Sequence, residues 1–282
     1  MTKICQFPIA FETLRTYQGR PRALHLHLER LLSSCERIRY QVKCSTPQIT
    51  DEKKRSLFER AKSLIDEALR PSKLRIEERI EESVVRCFLT VNLELSVKRN
   101  RLDHSYVNRS RSLVCVYAPL SYDPRAKHNS REEWDIILRD SVHDELLLCD
   151  LDGCPLESNN ANFWSLQLKA PIEVIHQRLI KGGPQSMDGL VWSTPPLERA
   201  LLPGITRALL LHHFKEEGAE VREMDFPHLK TKREQTHGDT YFYLSSTLKS
   251  LSWVKQIDQV PFQEPIFNQA IFRSVERYLS KC

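Results

Sequence analysis

The spacing of apolar residues changes along the chain, and this change limits the fold more than any other feature of the sequence. Apolar side chains over residues 24–38, and again over 57–69, recur three and four positions apart, as on one face of an amphipathic helix. Over 85–93 they alternate with more polar side chains, and 113–117 is a compact apolar run, which indicates strands. We therefore predict that residues 1–118 form an α+β domain in which helices cover an antiparallel sheet.

A second domain is predicted after a short connection. Proline, serine, tyrosine and aspartate dominate residues 119–125, so we place the connection at 119–126 and the second domain at 127–282. Within it, the Asp152–Gly153 dipeptide between two apolar runs is a strong hairpin signal. Residues 169–190 show no clean period. The other elements predicted in this half are strands over 241–245 and 253–257 and a closing helix over 269–279.

The composition excludes several classes of protein. The 282 residues are 40% hydrophobic and 28% charged, as in an ordinary globular chain, and no apolar run approaches the ~20 residues of a membrane span. The net charge of +5 permits an anionic small-molecule substrate without indicating nucleic acid. Gln6 and Pro8 interrupt the apolar N-terminal patch, which argues against a signal peptide. The cysteines form no Cys-x-x-Cys pair, so we expect reduced thiols, no metal site, no membrane partner and a cytoplasmic location.

Three separated features have the chemistry of a binding site. Gly204, Ile205 and Thr206 directly precede or begin a predicted helix, where free backbone N–H groups, a glycine and a hydroxyl make a cradle for phosphate. Glu157 follows the predicted hairpin turn, and a carboxylate there can keep a pyridine nitrogen protonated. Lys127 has basic neighbours that favour loss of its proton, so it can react with an aldehyde. Each feature alone also fits an ordinary turn or a solvated surface residue.

Five motifs occur in order along the chain. They are Phe11–Arg15, His27–Leu31, Asp152–Glu157 with Asn162–Phe163, Thr194–Pro196 with Leu202–Arg207, and Ser245–Thr247 with Trp253–Val254. Together they resemble the class IV aminotransferase family, the pyridoxal-phosphate enzymes of fold type IV. That family includes branched-chain and D-amino-acid aminotransferases and aminodeoxychorismate lyase. The similarity runs from Phe11 to about Pro261, which is nearly the whole chain.

The resemblance implies a fold, a cofactor and a set of site residues. The implied fold has two domains, an N-terminal α/β sandwich-like sheet with helices and a C-terminal pseudo-barrel, with the cofactor site between them. The implied cofactor is pyridoxal 5'-phosphate, the implied assembly is a homodimer, and the substrate is a small amino compound. Lys127 is implied to be the catalytic lysine that forms the Schiff base with the cofactor. The other implied cofactor-binding residues are Arg30, Glu157, Gly204, Ile205, Thr206, Ser246 and Thr247.

The surroundings of Lys127 favour one branch of the family. Residues 127–131 resemble the Lys-His-x-x-Arg of the lyase branch more than the Lys-x-Gly-Gly-Asn-Tyr of branched-chain aminotransferases, and Glu132 stands at the position of that tyrosine. We therefore expect 4-amino-4-deoxychorismate lyase activity, which yields 4-aminobenzoate and pyruvate. An amino-acid aminotransferase of the D-amino-acid or branched-chain type remains the alternative. So does a homologue that binds the cofactor without turnover, because the first motif stands so close to residue 1.

Nucleic-acid binding is the alternative from another functional class, and its only support is a basic stretch within residues 98–111. Lysine, arginine and histidine side chains that could contact the phosphates of nucleic acid occur at Lys98, Arg99, Arg101, His104, Arg109 and Arg111. Tyr106 is the one aromatic residue among them, so stacking on bases has little support. We therefore interpret the stretch as a charged loop between two strands and expect no nucleic-acid partner.

Overall fold

The computed structural model describes most of the chain and divides it into two compact units. One unit contains Met1–Asp103 and Leu120–Arg131, and the other contains His104–Pro119 and Glu132–Cys282. The residues that the structure describes are 9–45, 48–70, 82–117, 123–130, 132–183, 185–199, 201–227 and 240–282.

The first unit is a four-stranded antiparallel sheet with two helices. Its elements are β1 (Ala10–Tyr17), β2 (Arg20–Pro21), α1 (Leu24–Gln41), α2 (Asp51–Leu69), β3 (Ser83–Leu89) and β4 (Leu95–Arg101), and the strand order is β2-β1-β3-β4. Both predicted helices are confirmed. Their apolar faces pack with Leu14 and Val85 of the sheet into one core, in which Leu28 and Ile65 are also fully buried. Thr50 caps α2 by accepting the Lys53 N–H at 3.3 Å.

The second unit is built on a large mixed sheet. Its strands are β5 (Arg111–Val116), β6 (Glu145–Cys149), β7 (Pro155–Ser158), β8 (Asn162–Leu168), β9 (Leu190–Thr194), β10 (Glu220–Glu223), β11 (Thr240–Ser246), β12 (Ser250–Ile257) and β13 (Val260–Pro261). Its helices are α3 (Glu132–Arg139), α4 (Ile172–Lys181), α5 (Ile205–Glu216) and α6 (Asn268–Leu279). Strand β7 pairs with both β6 and β8, so the order β8-β11-β12-β5-β6-β7 closes into a ring. This ring is the pseudo-barrel that the resemblance implied, and the predicted fold class is confirmed.

The strands of the ring have a different apolar core on each face. Phe163 of β8 belongs to a cluster with Leu113, Phe242 and Val254. The next residue, Trp164, points to the opposite face, where a second cluster includes side chains of α5 and α6. In that cluster the Phe214 ring of α5 meets the Trp164 ring of β8 edge to face, with centroids 5.6 Å apart. Helix α5 is therefore fixed to the barrel by buried aromatic side chains.

Several elements differ from the sequence-based expectation, and burial explains why. Residues 169–190, which showed no period, contain α4, and this helix buries only Ile175 and Leu179. Strand β9 is buried on both faces, so its residues do not alternate. Strand β3 ends at Leu89, before a tight turn in which the Leu93 N–H donates to Thr90 O at 2.9 Å.

The basic stretch is also organised differently from the predicted loop. Leu95–Arg101 forms β4, which pairs with β3 along its whole length, so Lys98, Arg99 and Arg101 lie in a strand of the first unit. Arg111 begins β5 and is buried in the second unit. His104 and Arg109 belong to the second unit as well and lie between β4 and β5.

The division into units follows strand pairing. The predicted connection lay at 119–126, whereas β5 already belongs to the second unit because it pairs in parallel with β6 and β12. Residues 123–130 belong to the first unit, where His128 bridges to Ala10. The chain therefore enters the second unit, returns to the first and leaves it again.

Two further findings bear on the composition-based expectations. Within the described part of the chain, no helix is both long enough and apolar enough to cross a membrane. The seven cysteines described are free thiols, and burial raises the pKa of Cys35 and of Cys87 to about 12. These two thiols stay protonated at neutral pH.

Candidate active site

Lys127 is held in the first unit by its backbone. Residues 127–129 run antiparallel to the start of β1, and the Phe11 N–H donates to Lys127 O at 3.0 Å. Asn129 bonds Ile9 twice, through its own N–H at 3.1 Å and through its side-chain oxygen at 2.7 Å. The Lys127 N–H donates to Ser34 Oγ of α1 at 3.0 Å. The half-buried Lys127 side chain places Nζ 5.3 Å from the centroid of the Phe11 ring.

A buried acid lies beside this lysine. Glu12 is fully buried on β1, and its carboxylate accepts Arg30 Nε at 2.6 Å and Arg30 Nη2 at 2.8 Å. His27 Nδ1 lies 2.8 Å from the same carboxylate. Burial alone raises the pKa of Glu12, but the positive charges of Arg30 and Lys127 and the hydrogen bonds hold it well below its usual range. Burial lowers the pKa of His27, so Glu12 is ionised and His27 is neutral at pH 7.

The predicted acid, Glu157, lies on β7 of the second unit and contacts the segment that precedes helix α5. Glu157 is 8% exposed, and Oε1 accepts the Leu202 N–H at 3.2 Å. Its other oxygen accepts Asn162 Nδ2 at 3.2 Å, and the same amide nitrogen donates to Leu202 O at 3.1 Å. Asn162 therefore ties Glu157 to the segment that leads into α5.

Gly204 is required at this junction. A Cβ at position 204 would lie 1.8 Å from Asn162 Oδ1, a distance that atoms cannot adopt without displacement. Helix α5 begins at the next residue, and Ile205 and Thr206 are buried in its first turn. Their backbone N–H groups have no acceptor within the helix. The positive end of the helix dipole lies at this turn, and Thr206 is a hydroxyl-bearing residue within it, so the chemistry of these residues fits a phosphate group.

The turn between β11 and β12 lies at the same end of the sheet. Glu157 pairs with Asn162 across β7 and β8, and Asn162 pairs with Ser245 across β8 and β11. Ser246 follows at the end of β11, and its Oγ accepts the Lys249 N–H at 3.3 Å. Thr247 is the first residue of the turn. The register of three strands thus brings the hydroxyls of Ser246 and Thr247 to the region of Glu157.

The predicted site residues divide between the two units. Arg30 and Lys127 lie in the first unit, both near Glu12. In the second unit, hydrogen bonds join Glu157 to Leu202, which precedes Gly204, Ile205 and Thr206, and strand pairing through Asn162 joins it to the end of β11, where Ser246 and Thr247 follow. The ligand-binding roles of all eight residues stay predictions.

Two residues without a predicted role are central to this geometry. Glu12 was recognised as part of a motif, and a signal was available, because it shares the helix-facing side of β1 with Leu14. An acid on that side requires a cationic partner, which is Arg30. Asn162 gave no such signal, because its contacts with Glu157 and Leu202 depend on the fold. Both residues hold functional candidates in place.

Comparison with known proteins gives one family and many similar folds. A family model described as amino-transferase class IV matches residues 9–252. A hypothetical aminotransferase from Mycobacterium tuberculosis in its PLP-bound form superposes with a TM-score of 0.71 at 15% identity, covering 97% of this chain and 89% of that chain.

Two further solved structures have names that describe different reactions. A protein from Legionella pneumophila described as a 4-amino-4-deoxychorismate lyase gives a TM-score of 0.63 at 18% identity, with 96% of this chain and 91% of that chain covered. The branched-chain amino acid aminotransferase of Escherichia coli gives a TM-score of 0.62 at 16% identity, with 97% of this chain and 84% of that chain covered. A comparison with curated protein sequences found no match.

Proposed function

The chain belongs to the class IV aminotransferase family, and from this premise we propose that it is a 4-amino-4-deoxychorismate lyase. Membership makes it an enzyme that depends on pyridoxal phosphate. The choice among the reactions of the family is the proposal. One observation carries it: the sequence around the candidate lysine, residues 127–131, resembles that of the lyase branch. The similarity in fold to the Legionella protein described by that name is consistent with this choice.

The residues present fit the cofactor. The start of α5, with Gly204 and the N–H groups of Ile205 and Thr206, supplies donors for its phosphate, and Ser246 and Thr247 supply hydroxyls. Arg30 is proposed as a further phosphate ligand. The buried Glu157 carboxylate is proposed to hold a proton on the ring nitrogen. When bound, the cofactor supplies an electron-accepting ring that stabilises negative charge on the substrate carbon next to the amine.

Lys127 has two proposed tasks. Its amine would hold the cofactor through the cofactor's aldehyde group, and it would act as the base that takes a proton from the substrate. The hydrogen bonds to Phe11 and Ser34 fix the backbone of Lys127, so its amine is held on a rigid support. The nearby Glu12 carboxylate stabilises the protonated form of this amine after the transfer.

Two outcomes follow from the same proton removal. In an aminotransferase, Lys127 would return the proton it has taken, the cofactor would keep the nitrogen, and water would supply the oxygen of the keto product that leaves. If instead the bond to a β-substituent breaks, that substituent leaves with the electron pair and the reaction is an elimination. The lyase proposal is that this chain favours the second outcome.

Assays of the purified, cofactor-loaded protein test this choice. We expect 4-amino-4-deoxychorismate to be converted into equal amounts of 4-aminobenzoate and pyruvate. Amine transfer to 2-oxo acids without any 4-aminobenzoate would contradict the lyase proposal and favour the aminotransferase. Stoichiometric cofactor without reaction toward either set of substrates would favour a homologue that does not turn over.

We further propose that the substrate is anionic and that the chain forms a homodimer, as the family resemblance implies. The net charge of +5 supports binding of an anion. Light scattering coupled to size-exclusion chromatography tests the assembly. A mass of twice 33.0 kDa is expected, and a monomer at assay concentration would contradict it.

A further inference from the structure

A buried charged group in the second unit has no part in the proposed reaction. Glu145, the first residue of β6, is 3% exposed, Arg111 is 4% exposed and Lys249 is 5% exposed. Glu145 Oε1 lies 2.5 Å from Lys249 Nζ and 3.7 Å from Arg111 Nε. Its other oxygen accepts Ser158 Oγ at 2.8 Å. One carboxylate thus contacts two cations and a hydroxyl.

The partners of Glu145 adjoin the proposed cofactor ligands. Ser158 directly follows Glu157 on β7. Lys249 closes the turn that contains Thr247, and its N–H donates to Ser246 Oγ. Oε2 of Glu145 therefore holds the segment with the ring-nitrogen acid, and Oε1 holds the segment with the phosphate hydroxyls.

We propose that Glu145 is a positioning residue that joins the β11–β12 turn, through Lys249, to the end of β7, through Ser158, and so fixes the two groups of cofactor ligands relative to each other. This inference rests on the proposed cofactor-binding roles of Glu157, Ser246 and Thr247. Glu145 acts through its neighbours and does not itself contact the cofactor.

Stability alone does not explain why three charged side chains are buried together here. Burial of three charges carries a desolvation penalty that apolar side chains of similar volume would avoid. A bridge with a separate hydrogen bond or ion pair on each oxygen, in contrast, fixes the distance between two loops. In metal sites, removing a residue that orients the metal-binding side chains commonly weakens metal affinity about 10- to 100-fold. We expect the loss of a residue that orients cofactor-binding side chains to weaken cofactor affinity for the same reason.

Two variants separate the two arms of the bridge while keeping the fold. Lys249→Met leaves Arg111 and Glu145 as a balanced buried pair. Ser158→Ala leaves the turn after β7 attached to β6, because Asn159 exchanges two hydrogen bonds with Leu146 at 3.1 and 3.2 Å. Glu145→Gln removes the charge from the centre of the bridge. Circular dichroism of each cofactor-free variant establishes that it is folded.

The probes are pyridoxal phosphate and pyridoxal, which lacks the phosphate. We expect Lys249→Met to weaken binding of pyridoxal phosphate about tenfold and to leave pyridoxal unaffected, because pyridoxal has no phosphate for the turn to hold. We expect Ser158→Ala to shift the absorption band of both bound probes, because the protonation of the ring nitrogen changes. Glu145→Gln should show both effects.

Asp144→Asn is the matched control. Asp144 is the neighbouring carboxylate and accepts the N–H and Oγ of Ser112, both at 2.8 Å, so it joins neither ligand segment. This variant should bind both probes as the wild type does. If Lys249→Met and Ser158→Ala kept the dissociation constants and spectra of the wild type, the positioning role of Glu145 would be wrong, and the proposed function would be unaffected. The same conclusion would follow if Lys249→Met weakened the binding of pyridoxal phosphate and of pyridoxal equally. A wild-type chain that binds no pyridoxal phosphate would overturn the proposed function as well.

Discussion

Glu12 is the residue on which the first unit's polar arrangement depends. It is fully buried, ionised, and bound by two nitrogens of Arg30. Arg30 and His27 occupy the same face of α1, three residues apart, so a single acid on β1 fixes both. Arg30 was predicted as a phosphate ligand, and the structure adds that its orientation is set by Glu12. Removal of one partner from such a buried pair leaves the other charge uncompensated.

Glu12→Gln is therefore expected to reduce the free energy of unfolding at pH 7 by about 3–5 kcal/mol. Chemical denaturation measures this value. The control is Glu29→Gln, whose carboxylate is 56% exposed on α1 and pairs with the exposed His25. That change should alter the free energy of unfolding by less than about 0.5 kcal/mol. Equal effects of the two substitutions would contradict the role given to Glu12.

The same pair predicts a dependence of stability on pH. Against the effect of burial, the positive charges of Arg30 and Lys127 hold the pKa of Glu12 in the folded chain below the ordinary carboxyl value of 4.5, so its contribution is fully present above about pH 4.5 and is lost as the pH falls towards the lowered pKa. Unfolding free energies measured from pH 7 to pH 3.5 should therefore decrease less steeply in Glu12→Gln than in the wild type. Parallel curves would show that folding does not lower the pKa of Glu12.

Among the elements, the start of α5 shows how tightly the second unit is assembled. Gly204 is in contact with Asn162, and Asn162 in turn holds Glu157 and Leu202. The need for glycine here comes from a close approach between two segments, since its backbone φ of −69° is accessible to any residue. A Pro-Gly turn before a helix was visible in the sequence, but the atom that excludes a side chain was not.

Gly204→Ala is expected to displace Asn162 and to weaken the binding of pyridoxal phosphate by about tenfold or more. The reason is that the displaced amide loses hydrogen bonds worth about 1 kcal/mol each. Titration monitored by absorbance measures the dissociation constant. Asn162→Ala in the same chain removes the clash, so the double variant should be more stable than Gly204→Ala alone. A double variant that is less stable would show that steric conflict is not the cause.

The elements predicted correctly are those with a regular apolar period. Both helices of the first unit bury a full stripe against the sheet, and β11 and β12 have compact apolar sequences. Helix α4 was missed because its contact with the core is narrow, and β9 because it is buried on both faces. The helix start at Gly204–Thr206 was identifiable because glycine, threonine and a helix start are local features, and its binding of phosphate stays a prediction. The Glu12–Arg30 and Glu145–Lys249 contacts join distant residues and needed the fold.

At the scale of the whole molecule, closure of the barrel depends on pairings that no local signal reveals. Strand β5 pairs in parallel with β12, so Arg111 lies opposite Val254, and β7 pairs with two strands. The family resemblance supplied this architecture, and the family match over residues 9–252 agrees with it. In our proposal the choice of reaction depends on a few residues around Lys127. Similar folds carry out both lyase and transferase reactions, so fold alone does not select between them.

The central claim is that Lys127 holds the aldehyde of the cofactor, and borohydride reduction tests it most directly. The wild-type holoenzyme should show a visible absorption band that borohydride removes, and mass spectrometry of its peptides should find the reduced cofactor attached at Lys127. Lys127→Ala should show neither the band nor the attachment, while remaining folded by circular dichroism. A Lys127→Ala protein that keeps the band, or a wild type labelled at another lysine, would contradict the claim.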